Sequence, residues 1–178
     1  MRAAQCTAYG GPESVTVTDV AAPTLGPNDV RVAIEVAAVN FPDVLIVAGD
    51  YQVKVPPPFV PGSEFAGTVT EVGSAVLAIA AGDRVFGSGM VGALAEQIVV
   101  PAAAVTEIPV GIATEVVAGF GVAHRTAYHS LRSVAALQAG EELVVLGAGG
   151  GVGLAAVQLG ALMGANVTAV ASSAEKLT

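Results

Sequence analysis

The chain has 178 residues, a formal net charge of −8 and 53% hydrophobic residues. This is room for one large domain, or for one small domain and part of another, with a sizeable buried core. The seven basic residues are scattered, so nothing indicates a nucleic-acid partner. No stretch reaches the ~20 uninterrupted apolar residues of a membrane span, and the first ten residues lack the apolar core of a signal peptide. We therefore expect a cytoplasmic protein with no membrane partner.

The first part of the chain, up to about residue 108, is rich in β-strand patterns. Alternating apolar and polar residues predict four strands, at 15–20, 30–36, 65–72 and 95–100. The single cysteine, Cys6, lies in a further apparent strand, where we expect a packed or half-exposed thiol. Residues 40–48 interrupt the strands and predict a short helix with Pro42 in its first turn. Many short strands at this spacing are typical of a barrel-like β unit.

From about residue 109 the pattern changes to alternating helices and strands. We expect a helix with Thr114 as its N-cap, and then a second helix over 124–137 that ends before Gly140. One βαβ unit follows, with a strand at 142–146, a helix at 151–164 and a strand at 166–171. A doubly wound dinucleotide-binding domain has about six strands, whereas only two are visible here.

These patterns place the chain in the α/β plus β class. We expect a β domain at 1–108, followed at 109–178 by a helical connection and the first half of a dinucleotide-binding domain. A two-stranded parallel sheet leaves faces and edges open. We therefore expect the chain to be the N-terminal part of a longer protein and to be inactive by itself.

The segment from Gly147 to Gly153 reads Gly-Ala-Gly-Gly-Gly-Val-Gly and lies between a predicted strand and a predicted helix. The G-x-G-x-x-G spacing is met at 148, 150 and 153, with an alanine in the first position. Gly150 would let the backbone approach a pyrophosphate, and Gly153 would let helix and strand pack closely. A helix N-terminus also attracts anions. The alternative is a glycine-rich structural turn without a ligand. The candidate cofactor-binding residues of the turn are Ala148, Gly149, Gly150, Gly151, Val152 and Gly153.

The residues after the second strand favour NADP over NAD. An acidic residue at this strand end would bond the ribose 2′-hydroxyl and repel a 2′-phosphate. The chain has Ser172, Ser173 and Lys176 there instead, and two hydroxyls with an ammonium suit a 2′-phosphate. Glu175 should face away on a helix that begins near 174. An ordinary helix start capped by Ser173, with a surface lysine, is the alternative.

Five segments carry a family resemblance. They are Val39-Asn-Phe-Pro-Asp43, Gly49-Asp-Tyr51 with the proline-rich run to Gly67, Val72-Gly73 with Gly82-Asp-Arg-Val85, Thr126-Ala-Tyr-His-Ser-Leu131, and the glycine turn. In this order they resemble the zinc-free medium-chain dehydrogenases/reductases of the quinone oxidoreductase (ζ-crystallin-like) group. The resemblance implies a chaperonin-10-like (GroES-like) β-barrel domain, then the first βαβ unit of a Rossmann domain. It also implies a homodimer at full length.

The resemblance further implies roles for single residues. Asn40, Asp43 and Tyr51 match positions that line the cleft beside the nicotinamide, where they would be the catalytic candidates. Thr126 matches a threonine near the nicotinamide end. Ser173 and Lys176 match the 2′-phosphate site.

Each of these residues also has a plain structural reading. Asn40 could cap the helix that follows it, and Asp43 could be a first-turn partner of the helix dipole. Tyr51 could pack against the prolines at 56–58. Thr126 could be an ordinary helix residue.

The residues do not favour a metal site. Zinc-dependent relatives place a cysteine at the position of Asn40 and a histidine at that of Ser63. A zinc site needs three or four ligands, and the soft ligands of this chain are Cys6, His124 and His129. The two histidines are five positions apart on a predicted helix and do not share a face. We expect no metal.

An acceptor that delocalises negative charge suits a site without a metal. A quinone or an α,β-unsaturated carbonyl needs only positioning and a hydrogen bond or two. We therefore predict an NADPH-dependent quinone oxidoreductase. The alternatives are an enoyl or 2-alkenal reductase on the same scaffold, and a noncatalytic NADPH-binding or structural protein.

Overall fold

A computed structural model describes residues 1–177, and it divides into two compact units, Met1–Gly121 and a second that begins at Val122. The first unit is built on strands and the second on a βαβ arrangement. Together they confirm the expected α/β plus β class. Within the described residues, no helix is both long and apolar enough to cross a membrane.

The first unit contains seven strands in two antiparallel sheets. The small sheet pairs β1 with β2, and the large sheet has the order β6-β3-β4-β5-β7. Two of these strands, β5 and β7, are additional to those that the sequence pattern predicts. The strands are β1 Arg2–Cys6, β2 Val15–Asp19, β3 Asp29–Ala38, β4 Glu64–Val72, β5 Arg84–Ser88, β6 Gln97–Pro101 and β7 Val105–Glu107.

The core of the large sheet follows from the alternation of its central strands. Val30 of β3 pairs with Val72 of β4 and with Val100 of β6. Because successive side chains of a strand point to opposite faces, Val30 and Val32 both face the core. The buried cluster comprises Val30, Val32, Phe65, Val69, Val85, Ala93, Ile98, Val100 and Val105.

The short helix α1, Phe41–Ala48, confirms the helix expected at 40–48 and begins at Asn40 as its N-cap with Pro42 in its first turn. Its apolar face packs on Cys6 and Phe59, whose backbones exchange N–H···O hydrogen bonds of 2.8 and 3.1 Å. The Cys6 thiol is fully buried, as expected, and donates to the Ala8 carbonyl at 3.1 Å. The small sheet therefore fixes α1 against the β unit.

The helix α2, Thr114–Ala118, corrects one detail of the sequence analysis. Its N-cap is Ala113, and Thr114 is the first helical residue with no capping bond. The Thr114 hydroxyl is buried, accepts a 2.8 Å hydrogen bond from Arg84 and donates to Glu35 at 3.2 Å. Glu35 also accepts from Thr68 at 2.7 Å, so this network joins α2 to strands β3, β4 and β5.

The same packing explains where the two units divide. The buried residues Val117 and Ala118 of α2 contact Ala66 and Ile108, which places the segment after 108 with the β unit. The division at Gly121 therefore falls further along the chain than the 108/109 boundary of the sequence analysis.

The second unit is one βαβ arrangement with a helix before it. Strands β8, Glu142–Leu146, and β9, Asn166–Val170, are parallel, and α4, Gly151–Leu162, connects them. All three confirm the predicted elements. Gly160 lies where α4 crosses the sheet, because a Cβ there would be 2.4 Å from Leu143 Cδ2 and 3.2 Å from Val167 Cγ2.

The helix expected at 124–137 differs from the prediction in its course. It begins earlier, as α3 at Gly121–Tyr128, and continues as a π-helical segment over His129–Val134. Ala136 adopts a left-handed conformation with φ 52°, and this residue ends the helical run before Leu137.

Replacement of Thr114 by valine is expected to lower the free energy of unfolding by about 1–2 kcal/mol, because it removes the two hydrogen bonds by which this buried hydroxyl joins the exposed Arg84 and Glu35 side chains. Chemical denaturation of the intact protein measures the change. The matched control is Thr106→Val at an exposed position of β7, for which a change within about 0.5 kcal/mol is expected. Equal effects of the two substitutions would contradict this role of Thr114.

Candidate functional site

The glycine turn joins β8 to α4 through one left-handed residue. Gly147 has φ +69°, a conformation that favours glycine. The next residue, Ala148, is buried and donates its N–H to the Val170 carbonyl at 2.9 Å, which fixes the turn to the end of β9. The Gly150 N–H then bonds Gly147 O at 3.0 Å, and Gly150 is the N-cap of α4.

Gly153 is required by the backbone of the turn itself. A Cβ at this position would lie 2.2 Å from Gly147 O and 2.9 Å from Ala148 Cα. Since both are backbone atoms, no side-chain movement relieves the clash. Gly153 therefore makes its expected close approach, and its partner is the backbone of the turn after β8. The contact between helix and strand side chains is made at Gly160, which the sequence analysis missed because an isolated glycine in a helix has no distinctive signal.

The turn and the end of β9 enclose a groove of about 410 Å³, which we name the glycine groove. The first three N–H groups of an α-helix have no partner within the helix, and here they belong to Gly151, Val152 and Gly153. They add to the positive end of the helix dipole, so this end of α4 favours an anion. The residues that line the groove are Gly147, Gly149, Gly150, Val170, Ala171, Ser172 and Lys176.

A cation and a hydroxyl meet at one wall of the glycine groove. The Lys176 ammonium donates to Ser172 Oγ at 3.2 Å. The methylene groups of the same lysine pass beside Gly149, where a Cβ would be 2.9 Å from Lys176 Cβ. None of the seven residues that line the groove is acidic. The groove thus combines backbone donors with one positive side chain.

Four of the predicted cofactor residues line this groove, and the other six do not; those six are Thr126, Ala148, Gly151, Val152, Gly153 and Ser173. Ser173 is exposed, and its carbonyl accepts the Lys176 N–H at 3.3 Å within a single 3₁₀ turn. The Thr126 hydroxyl donates to the Val122 carbonyl of its own helix at 2.6 Å. The helix α3 that carries Thr126 does come close to the start of α4, since a Cβ at Gly151 would be 3.9 Å from Ala123 Cβ.

A second candidate site lies in the first unit, where β3 gives way to α1. The Asn40 N–H donates to Asp43 Oδ2 at 2.7 Å, so Asp43 fills the third position of a capping box. Asp43 is only 3% exposed, and its Oδ1 is buried without a hydrogen-bond partner. The same carboxylate lines a cavity of about 360 Å³ whose other walls are mostly apolar, among them Val44 and Val47. Asp43 is thus a structural group of the helix start that also presents an acceptor.

Sequence reasoning missed one side-chain contact of this site. The Asn40 side chain donates through Nδ2 to Glu64 Oε1 at 2.8 Å, across 24 positions of sequence. Glu64 begins β4 and is 1% exposed, and the adjacent Ser63 hydroxyl is buried without a partner. The only available signal was an acidic residue at the start of an apolar strand.

Tyr51 follows α1 and is half-buried. Its N–H donates to the Leu45 carbonyl at 3.1 Å, and its ring packs on the cluster formed by Cys6, Ile46, Val47 and Phe59. The packing partner is therefore this cluster, which the sequence analysis did not anticipate.

Potential metal ligands are not gathered in the described part of the chain. Over residues 1–177, no group of three or more His, Cys, Asp and Glu residues lies close enough to hold an ion. His124 Nε2 instead lies 3.3 Å from Gln158 Oε1 of α4.

The chain is similar to known proteins in both sequence and structure. Residues 26–110 match the alcohol dehydrogenase GroES-like domain. The chain is 41% identical over 178 residues to a quinone oxidoreductase-like protein 2 homolog from Nematostella vectensis, covering 99% of this chain and 48% of that protein. The quinone oxidoreductase of Thermus thermophilus, solved alone and with NADPH, aligns with a TM-score of 0.88 and 35% identity over 99% of this chain and 55% of that one.

The homologues of the chain are thus quinone oxidoreductase-like proteins of the medium-chain dehydrogenase/reductase superfamily. The chain spans about half the length of the relatives it matches. A polyketide synthase from Streptomyces halstedii is also 44% identical over 146 residues, covering 82% of this chain and 2% of the synthase. The chain is therefore also similar to a small segment of a much longer protein.

Two glycines of the turn are expected to differ in their tolerance of alanine. Gly153→Ala should lower the free energy of unfolding of the unit by about 1–3 kcal/mol or more, because the new methyl meets backbone. Gly150→Ala is the matched control: φ is −91°, and the nearest atom, Gly147 O, would be 3.4 Å from the methyl. A change within about 0.5 kcal/mol is expected there. Chemical denaturation of both variants measures the two changes. Equal stability of the variants would contradict the close contact between Gly153 and the backbone of the turn.

Proposed function

We propose that the intact protein is an NADPH-dependent oxidoreductase that reduces a quinone without a metal. The observation that carries the proposal is the glycine groove, where the N-terminus of α4 and the Lys176 ammonium lie on one concavity. The family supports a nicotinamide cofactor, because the Thermus thermophilus relative was solved in complex with NADPH.

The glycine groove fits a dinucleotide with an additional phosphate. Its backbone donors suit a pyrophosphate, since a helix N-terminus binds phosphate oxygens through N–H groups. Lys176 and Ser172 lie beyond the end of β9, where a carboxylate would select the 2′-hydroxyl of NAD. A cation and a hydroxyl at this place instead bind a 2′-phosphate through charge-assisted hydrogen bonds.

NADPH would supply a hydride, which carries both electrons, and the residues of this chain would orient the acceptor. We propose that the Asn40 side chain hydrogen-bonds the acceptor oxygen, with Tyr51 beside it. The proton would come from water or from the Tyr51 hydroxyl. A quinone spreads the developing negative charge over its ring and second oxygen, so fixed hydrogen-bond donors suffice in place of a Lewis acid.

An enoyl or 2-alkenal reductase is the second candidate. The match to a polyketide synthase over most of this chain favours it. The same site would then hold the carbonyl of an α,β-unsaturated substrate.

Consumption of NADPH by the intact protein separates these functions. Turnover with a small quinone and not with an enone supports the quinone oxidoreductase, and the opposite pattern supports the enoyl reductase. Tight binding of NADPH without turnover of either acceptor would identify a noncatalytic NADPH-binding protein and contradict the proposal.

Lys176→Ala is expected to weaken NADPH binding roughly ten- to a hundredfold and to leave NADH binding unchanged, since it removes one charge-assisted partner of the 2′-phosphate. Calorimetric titration of the intact protein with both nucleotides measures this difference. Arg132→Ala, which removes an exposed cation of the same unit, serves as the control and should change neither affinity. Equal weakening of NADPH and NADH by Lys176→Ala would show that the lysine does not contact the 2′-phosphate.

A further inference from the structure

The side chain of Asn40 is held by a carboxylate that the proposed reaction does not use. Asn40 Nδ2 donates to Glu64 Oε1 at 2.8 Å, while the Asn40 N–H is bound separately by Asp43 at 2.7 Å. One acidic residue thus fixes the main chain of Asn40 and the other fixes its side chain. The Asp43 contact belongs to the helix cap, but the Glu64 contact joins two elements that are distant in sequence.

Glu64 is held by the pairing of three strands. It is the first residue of β4, the central strand of the large sheet, and its backbone pairs with Ala38 of β3 and with Ser88 of β5. Its side chain is only 1% exposed. A Cβ at Gly121 would lie 3.1 Å from Glu64 Oε2, so the space around the second oxygen is also filled. A buried carboxylate is costly unless it is hydrogen-bonded, and a group held from both sides has little freedom to move.

The chemistry of this pair sets the orientation of the amide. An ionised carboxylate only accepts hydrogen bonds, whereas an asparagine amide carries both a donor and an acceptor. The NH₂ group of Asn40 must therefore face Glu64. The carbonyl Oδ1 faces the Asp43 N–H in the capping box, and the second hydrogen of Nδ2 is left for another partner.

We propose that Glu64 is a positioning residue that holds the Asn40 amide in one orientation and so aims its remaining N–H at the acceptor oxygen. This inference rests on the role of Asn40 in the proposed function. A glutamine in place of Glu64 has nearly the same shape but both donates and accepts, so it permits the Asn40 amide to turn over.

A double-mutant cycle in the intact protein tests the proposal, with NADPH and a small quinone or enone as substrates. Glu64→Gln is expected to lower kcat roughly tenfold, the value of one misplaced hydrogen bond, and to leave the affinity for NADPH unchanged. Combined with Asn40→Ala, it should cause no loss beyond that of Asn40→Ala alone. Glu71→Gln, an exposed position at the other end of β4, is the control and should leave kcat unchanged. Losses that multiply in the double variant would overturn the proposal.

A nuclear magnetic resonance measurement gives a readout that does not need turnover. The side-chain NH₂ signals of Asn40 are assigned by their disappearance in Asn40→Ala. Glu64→Gln should shift this pair and speed its exchange with solvent, and Glu71→Gln should not. An unmoved Asn40 pair in Glu64→Gln would overturn the positioning role. If Glu64→Gln does not fold, Glu64→Asp replaces it, because it keeps the charge but withdraws it by one methylene, and the same shift is expected.

The two measurements also separate this inference from the proposed function. If the intact protein reduces neither acceptor, the proposed function fails, and the Asn40 resonances alone decide whether Glu64 orients the amide. A variant that melts at a lower temperature but keeps kcat would show Glu64 to be only structural, which contradicts the proposal.

Discussion

The second unit depends on one close approach, that of Gly153 to the backbone of Gly147. A side chain at 153 would meet the Gly147 carbonyl oxygen at 2.2 Å, so the turn keeps its shape only with glycine there. Because the approach holds α4 directly over the end of β8, the N–H groups of the first helical turn open beside the glycine groove. The same constraint that shapes the turn therefore creates the donors on which anion binding would rest.

The candidate site of the first unit is held together by two carboxylates. Its site is arranged around Asn40, with Asp43 fixing the main chain and Glu64 fixing the side chain. Both acidic residues are buried, at 3% and 1% exposure, so their hydrogen bonds are shielded from competing water. A site held in this way has a defined geometry before any substrate arrives, which is what catalysis by positioning requires.

Local patterns in the sequence predicted much of the fold, and the misses have physical causes. The alternation at 30–36 and the glycine turn between a strand and a helix are local signals, and both elements were found where expected. The strand β7 has three residues, too few to show an alternating pattern. Thr114 looked like a helix cap because its neighbours in sequence allow one, whereas its hydroxyl bonds residues 30 and 79 positions away.

The residues of the candidate sites also differ in whether the sequence could predict them. The groove residues Gly150, Ser172 and Lys176 lie close together because they follow the ends of two parallel strands, a relation that the βαβ pattern already contains. Glu64 could not be found from sequence, since its contact with Asn40 depends on the register between β3 and β4. Long-range hydrogen bonds of this kind require the tertiary structure.

The most direct measurement is a titration of the ¹⁵N-labelled intact protein with NADPH, followed through its backbone amide signals. If NADPH binds at the glycine groove, the largest changes fall on Gly149, Gly150, Gly151, Val152 and Gly153, with a further change at Lys176. Binding that leaves these amides unmoved, or no binding at all, would contradict a dinucleotide held at the start of α4.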